Sequence, residues 1–198
     1  MAKQNITGIV LAGGKSLRMG KDKGRVELAG KPLVSYAIEV LKPLCDNILI
    51  SSNSDYYESF GYPVQKDIIS DCGPMGGIYS SLLHSSSSLN LVLSCDMPLV
   101  SLDLIKYIID NLDDRKISIP VHGDNLLEPL CASYPFEMIP FIEKFIEEKN
   151  LKLISLIEAV PSKQIRLDSR QQFYHPDLFL NINRPGDLEK ASLILQKK

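Results

Sequence analysis

The sequence predicts a single domain of the α/β class, in which helices cover both faces of a mostly parallel sheet. Apolar runs of strand length alternate with longer helical runs along the chain, and this alternation is typical of strand–helix–strand units. A length of 198 residues with 44% hydrophobic content supplies one full core and falls short of two. No repeat or low-complexity linker divides the sequence, so we expect one domain over residues 1–198.

The first half of the chain contributes predicted strands and helices in strict alternation. Pro32 and Pro74 stand at expected helix starts, where a missing backbone N–H costs little. In chain order, the expected elements are a strand at 6–11, a helix at 32–44, a strand at 47–52, a short helix at 55–60, a strand at 63–66, a helix at 74–84, a strand at 89–94 and a helix at 102–112.

The second half is less regular, but it continues the three-layer α/β/α pattern of a Rossmann-like fold. In an open parallel sheet, ligands bind beyond the carboxyl ends of the strands, where the strand order reverses. Gly13, Asp67 and Asp96 each follow a predicted strand, so we expect them to share one edge of the sheet. The second-half elements are strands at 117–121 and 130–134, helices at 136–148 and 151–159, a strand at 163–167 and a closing helix that begins at Pro185.

The segment 11–23, LAGGKSLRMGKDK, follows the first predicted strand and combines adjacent glycines with several cations. Gly13 and Gly14 let the backbone turn sharply and bring its N–H groups close to phosphate oxygens. Arg18 offers a planar fork to two phosphate oxygens, whereas Lys23 is a point charge that can follow a phosphate during reaction. The glycines alone would also fit an ordinary strand–helix turn, but the added cations favour a polyphosphate-binding loop.

Two common phosphate-binding motifs fail on spacing. A Walker A loop ending in the run 14–16 would require glycine at position 9, which is Ile9. A dinucleotide-binding fingerprint starting at Gly13 would require glycines at positions 15 and 18, which are Lys15 and Arg18. The sequence therefore supports neither a P-loop nucleotidase nor a dinucleotide-dependent oxidoreductase.

Further motifs follow this loop in an order that covers the chain almost end to end. They are Leu28 with Gly30, Lys31, Pro32 and Leu33, then Gly73-Pro74 with Gly77, then Cys95-Asp96 with Pro98, and finally Asn181, Asn183 and Pro185. Together with the loop, this series resembles the molybdenum cofactor guanylyltransferases. That family consists of nucleotidyltransferases with the nucleotide-diphospho-sugar transferase fold.

The resemblance implies transfer of GMP from GTP to molybdopterin that carries molybdenum, with Mg²⁺ as cofactor and pyrophosphate as leaving product. It places the nucleotide in the half at about 1–100 and the acceptor in the half at about 101–198. Gly13 is the specific indication for guanine, because relatives that use CTP tend to carry alanine there. Molybdoenzymes or cofactor-handling proteins are the partner proteins that such an enzyme would meet.

The resemblance also assigns the nucleotide contacts. Lys23 contacts the phosphates, and Asp67 accepts from either the guanine amide edge or the ribose hydroxyls. Apart from the resemblance, we expect Arg18 to bind the leaving pyrophosphate. A further family contact, often asparagine, aligns with Ser51, and Asn53 stands two residues later. The remaining residues of this nucleotide-binding set are Leu11, Ala12, Gly13, Gly14, Gly73, Pro74 and Asp96.

Asp96 ends an apolar strand, and the following Met97-Pro98 turns the chain so that the carboxylate is presented at the strand tip. Mg²⁺ prefers oxygen ligands and typically takes one or two protein carboxylates together with substrate phosphate. Asp96 could instead cap the helix that begins near position 102, although Ser101 is better placed to do so. We expect Asp96 to be the metal ligand and, with Arg18 and Lys23, to form the catalytic set.

Asn181 and Asn183 stand two residues apart, so an extended backbone would direct both to one face. Either could complete the metal shell or orient the acceptor phosphate. Alternatively, each amide could satisfy the loop backbone ahead of the helix at Pro185. The three histidines are expected to be surface or core residues, because phosphoryl transfer depends on positioning and charge neutralisation more than on a general base.

Charge and cysteine content narrow the function and the location. A net charge of −2 and a pI near 5.9 argue against a nucleic-acid-binding protein. The four cysteines form no CxxC pair and are expected to be reduced thiols. No apolar run approaches membrane-spanning length, and the amino terminus lacks a secretory pattern, so we expect a cytoplasmic protein without membrane contact. We also expect a monomer, although no sequence feature determines the oligomeric state.

Two other kinds of function stay open. The chain could use CTP or transfer a nucleotide to a sugar phosphate, or it could be a nucleotide-binding module that has lost catalysis. The short second half speaks against a sugar acceptor. The joint presence of Arg18, Lys23 and Asp96 speaks against loss of catalysis.

Overall fold

An eight-stranded sheet forms the centre of the computed structural model, which describes residues 5–13 and 22–196. A separate antiparallel hairpin, β2–β3, precedes the first helix. The strands are β1 (Ile6–Leu11), β2 (Glu27–Leu28), β3 (Lys31–Pro32), β4 (Asn47–Ser51), β5 (Val64–Gln65), β6 (Leu89–Ser94), β7 (Ile117–His122), β8 (Leu126–Leu127), β9 (Cys131–Pro135) and β10 (Ser162–Arg166).

The strand order is β10-β7-β9-β6-β1-β4-β5, with β8 paired to β7. Strands β8 and β9 run antiparallel to their neighbours, and the others share one direction. Chain order reverses at β1, because β4 and β5 extend the sheet on one side of it and β6 starts the other side. The carboxyl ends of β1 and β6 therefore flank a topological switch point, where open α/β sheets bind ligands.

Helices cover both faces of the sheet. Along β1, Ile6 and Val10 face an apolar cluster shared with α1 and α3, whereas Ile9 and Leu11 face a second cluster shared with α2, α4 and α5. None of the helices in the described residues combines the length and apolar character needed to cross a membrane. The helices are α1 (Leu33–Leu41), α2 (Gly73–His84), α3 (Leu102–Asn111), α4 (Ile139–Glu147), α5 (Leu153–Ala159) and α6 (Pro185–Leu195).

The predicted three-layer α/β fold with a mostly parallel sheet is confirmed, with differences at element ends. Helix α1 starts after Pro32 because Pro32 pairs with Glu27 in the hairpin. The predicted helix at 136–148 is divided into a 3₁₀ turn, Phe136–Met138, and α4, which has a proline in its first turn. The segment Asp55–Phe60 is a 3₁₀ helix. The hydroxyl of Ser101 caps α3 by accepting from Leu104 N–H at 3.2 Å.

The packing of β1 against α1 gives a test of the core. A methyl group at Gly8 would stand 2.8 Å from Ile48 Cδ1 and 3.2 Å from Leu41 Cβ. We expect Gly8→Ala to lower the free energy of unfolding by about 1–3 kcal/mol through overpacking, as measured by urea denaturation. The control Gly186→Ala lies in α6 with no neighbour within 4 Å of the new methyl group, so its stability should stay unchanged or rise. Equal stability of both variants would contradict this packing.

Candidate functional site

The carboxyl ends of β1 and β6 lie side by side at the centre of the site. Leu11 pairs with Ser94 in the parallel register, and the N–H of Cys95 donates to the Leu11 carbonyl at 3.0 Å. On the other side of β1, the N–H of Ala12 donates to the Ser51 carbonyl at 3.0 Å. Gly13 therefore leaves the sheet next to the start of the Asp96 turn, as the sequence predicts.

Three predicted site residues meet where the ammonium group of Lys23 contacts Asp96 and Asn183. Lys23 Nζ donates to Asp96 Oδ2 at 2.8 Å and to Asn183 Oδ1 at 2.6 Å. Asp96 is only 7% exposed, and its other oxygen, Oδ1, accepts from the Ser94 hydroxyl at 2.6 Å. The N–H of Ile182 donates to the Asp96 carbonyl at 2.8 Å, which attaches the segment carrying Asn183 to the end of β6.

Lys23 is held by a short structured segment. It opens the 3₁₀ helix Lys23–Arg25, whose Gly24 N–H donates to Asp22 Oδ1 at 3.2 Å. The buried Tyr57 hydroxyl donates to the same Asp22 oxygen. Burial, with this hydrogen bond adding to it, raises the pKa of Tyr57, so the hydroxyl stays neutral and remains a donor. These contacts fix the backbone on both sides of Lys23, because they hold Asp22 and Gly24.

Asp67 lies on the far side of β1, at the end of β5. Its backbone N–H donates to Asn53 Oδ1 at 2.9 Å, and Asn53 Nδ2 donates to Asp67 Oδ2 at 2.9 Å. Sequence reasoning noted Asn53 but assigned it no contact. Its place just beyond β4, which pairs with β5, was the available indication, because neighbouring parallel strands deliver their following residues to one place.

Helix α2 begins at the same edge of the sheet, because it follows β5 and leads into β6. Gly73 has a φ of 56°, a left-handed conformation that favours glycine, and Pro74 stands in the first turn. No side chain caps this helix start, which carries the positive end of the helix dipole. At Gly77, a methyl group would stand 2.7 Å from Ser51 Oγ, so α2 packs closely against β4 only without a side chain there.

The two asparagines predicted on one face have different partners. Asn183 joins the Lys23 cluster, whereas the Asn181 amide donates to the Phe179 carbonyl at 3.1 Å and satisfies local backbone. Asn181 therefore follows the alternative in which the amide bonds to the loop backbone, and the Asn183 side chain does not. The predictions for Gly14 and Arg18 lie outside the described residues.

A pair formed by buried His122 and half-buried Glu128 lies at the carboxyl end of β7, where the sequence analysis assigned no role. His122 Nε2 is 2.8 Å from Glu128 Oε1, and the imidazole stacks on Phe179 with ring centroids 4.7 Å apart. Burial raises the pKa of Glu128, and the hydrogen bond to His122 works against that rise. His122 directly follows the strand predicted at 117–121, and this position was the available indication that it lies at the edge formed by the carboxyl ends of the strands.

The donor set around Lys23 fits a hard cation. Asp96 and Asn183 present oxygen atoms to one positive charge, and Mg²⁺ takes oxygen ligands with water and substrate completing its shell. Across residues 5–13 and 22–196, no group of three or more His, Cys, Asp or Glu side chains could hold a metal. The four cysteines are free thiols, and burial raises the pKa of Cys95, so the thiol beside Asp96 stays neutral.

Comparisons with known proteins identify the family. The family model of the MobA-like NTP transferase domain matches residues 8–163. A molybdenum cofactor guanylyltransferase from Vibrio vulnificus is 34% identical, and the match covers 91% of each chain. One from Yersinia pseudotuberculosis is 30% identical, covering 93% of this chain and 94% of the relative.

A solved structure shows the same fold at lower identity. The crystal structure of molybdopterin-guanine dinucleotide biosynthesis protein A from Archaeoglobus fulgidus superimposes with a TM-score of 0.82 at 23% identity, covering 97% of this chain and 100% of the other. The family is assigned from the extent of the family match and from the sequence identity to the relatives. The chain belongs to the MobA-like NTP transferase family, alongside the molybdenum cofactor guanylyltransferases, and is a nucleotidyltransferase.

Proposed function

We propose that this chain transfers GMP from GTP to molybdopterin that carries molybdenum, forming molybdopterin guanine dinucleotide and releasing pyrophosphate. The observation that carries the proposal is the meeting of Lys23, Asp96 and Asn183 at the switch point beside Gly13. The relatives are named molybdenum cofactor guanylyltransferases, and these names are the support for guanine as the base and for the molybdenum cofactor as the acceptor. The glycine at position 13, in place of alanine, supports guanine over cytosine.

The reaction requires two anionic groups to approach in line. A terminal phosphate oxygen of the acceptor attacks the α-phosphorus of GTP, and the bond from that phosphorus to the bridging oxygen breaks as pyrophosphate leaves with the electron pair. The backbone from Leu11 to Gly13 would hold the nucleotide, and Lys23 and Arg18 would neutralise the phosphate charges. Such positioning and electrostatic stabilisation supply most of the rate in phosphoryl transfer.

Asp96 and Asn183 are the residues that would hold Mg²⁺, since their oxygens already surround a cation. When bound, Mg²⁺ would neutralise charge on the triphosphate. When the nucleotide binds, the Lys23 ammonium group would leave Asp96 and contact the nucleotide phosphates. The half at about 101–198 would receive the acceptor, and the free thiols support a cytoplasmic location for the reaction.

The base preference is tested by offering labelled GTP, CTP and ATP separately, each with Mg²⁺ and molybdenum-loaded molybdopterin. We expect incorporation from GTP to exceed that from the other triphosphates by roughly tenfold or more, as for sites that hydrogen-bond their substrate. Chelation of Mg²⁺ should abolish incorporation. Preferential incorporation of CMP would contradict the guanine assignment, and incorporation from none of them would favour a binding module without catalysis.

The role of Asp96 is tested by Asp96→Asn, which keeps the side-chain shape and removes the charge. We expect pyrophosphate release to fall by about 100-fold or more, because the site loses the carboxylate that would hold Mg²⁺ against the triphosphate. Asp110→Asn on the exposed side of α3 is the matched control and should keep wild-type turnover. Unchanged turnover in the Asp96 variant would refute its assignment.

The Lys23 ammonium group, which lies between Asp96 and Asn183, gives a further test that needs no nucleotide. In Lys23→Met, the two oxygens lose their positive partner, so we expect Mn²⁺ to bind the free protein roughly tenfold or more tightly than it binds the wild type. Electron paramagnetic resonance of free Mn²⁺ measures this affinity. Lys116→Met, which removes a surface lysine 3.4 Å from Asp113, is the control. Equal Mn²⁺ affinity in all three proteins would contradict the proposed metal ligands.

A further inference from the structure

Asn53 and Asp67 form a reciprocal pair of hydrogen bonds at the β5 side of the site. The Asn53 amide donates to Asp67 Oδ2 and accepts from the Asp67 backbone N–H, each at 2.9 Å. One planar amide thus contacts both the main chain and the carboxylate of the same residue. The bond to the backbone N–H fixes the Asn53 amide relative to the main chain of Asp67. The bond from Asn53 Nδ2 to Oδ2 then restricts the rotation of the Asp67 side chain.

The backbone around this pair is anchored independently. Ser51 pairs with Gln65 in the β4–β5 register, and the N–H of Ser52 donates to the Gln65 carbonyl at 2.9 Å. The N–H of Ile68 donates at 2.9 Å to the hydroxyl of Ser80, which is fully buried in α2. With the main chain fixed on both sides of Asp67, the remaining freedom is the direction of its carboxylate.

The second oxygen of Asp67 lies toward the end of β1. It is 3.7 Å from the point where a Cβ at Gly77 would stand, and that point is 3.4 Å from Leu11 Cδ2. Leu11 is the last residue of β1, directly before the loop at Gly13. Within the described residues, the side-chain hydrogen bond from Asn53 uses Oδ2 of Asp67, which leaves Oδ1 as an acceptor between α2 and the end of β1.

We infer that Asn53 is a positioning residue, which orients Asp67 so that its Oδ1 accepts a hydrogen bond from an N–H or O–H group of the nucleoside. This inference rests on the proposed function and adds a specific residue to it. A carboxylate offers acceptors alone, so the ligand group must be a donor. A side chain already held in its binding rotamer loses less entropy when the ligand arrives. Asn53 thereby contributes to affinity through Asp67.

A double-mutant cycle separates this role from a direct contact. Binding is measured calorimetrically for the wild type, Asn53→Ala, Asp67→Ala and the double variant. We expect each single change to weaken binding by about 5–20-fold, and the double variant to bind within about twofold of Asp67→Ala. The cycle uses whichever of GTP, CTP and ATP the wild type binds most tightly. A wrong guanine assignment therefore leaves the test of Asn53 intact.

Two further variants exclude a merely structural effect. Asn53→Asp keeps the shape but places an acceptor against Asp67 Oδ2, so it should weaken binding at least as much as Asn53→Ala. Asn111→Ala removes an amide bonded to the Tyr107 carbonyl on α3 and should leave binding unchanged. In turnover, Asn53→Ala should raise the KM for the triphosphate with kcat near that of the wild type.

Two results would overturn the inference. The first is wild-type affinity in Asn53→Ala. The second is a double variant whose loss equals the product of the two single losses, because independent contacts multiply in this way. A thermal unfolding scan of each variant ensures that every affinity refers to folded protein.

Discussion

The parallel pairing of β1 with β6 is the constraint on which the site depends. It places Leu11 opposite Ser94, so the loop that follows one strand and the carboxylate that follows the other start from fixed points. Both strands are buried along their full length, and their side chains alternate between two apolar clusters. A slip by one residue would send every side chain of a strand to the wrong cluster, so packing on both faces enforces the register.

The charges at the site are balanced before any ligand arrives. The Asp96 side chain is 9% exposed, and a carboxylate so buried is costly without a partner. Lys23 supplies the countercharge, while Ser94 and Asn183 supply the neutral hydrogen bonds around the pair. This arrangement keeps the groups oriented in advance, so under the proposed function substrate binding would exchange partners within an existing network and would need little reorganisation.

The sequence predicted the structure well where a strand or helix was long, or where a reactive or ligand-binding residue directly followed a strand. Long apolar runs located β1 and β6, and the rule about carboxyl ends brought Gly13 and Asp96 together correctly. Three of the two-residue strands, β2, β3 and β8, are too short to display a period and were missed, whereas β5 falls within the strand predicted at 63–66. Spacing alone could not separate Asn183 from Asn181, because their difference arises from Lys23, which is distant in sequence.

The antiparallel strand β9 has a consequence for how this enzyme can diversify. Inserted between β6 and β7, it separates β6, which leads into Asp96, from β7, which ends at His122, by two strand spacings, which is about 10 Å. The connection from β7 into β9 begins and ends at the ligand edge and carries no part of the β1–β6 pairing. Residues 123–129 can therefore change in sequence without disturbing the β1–β6 pairing, whereas Leu130 is tied to the end of β6, because its carbonyl accepts from Ser94 N–H at 2.8 Å. Under the proposed function, the acceptor side of the site could thus diversify while the nucleotide side is kept.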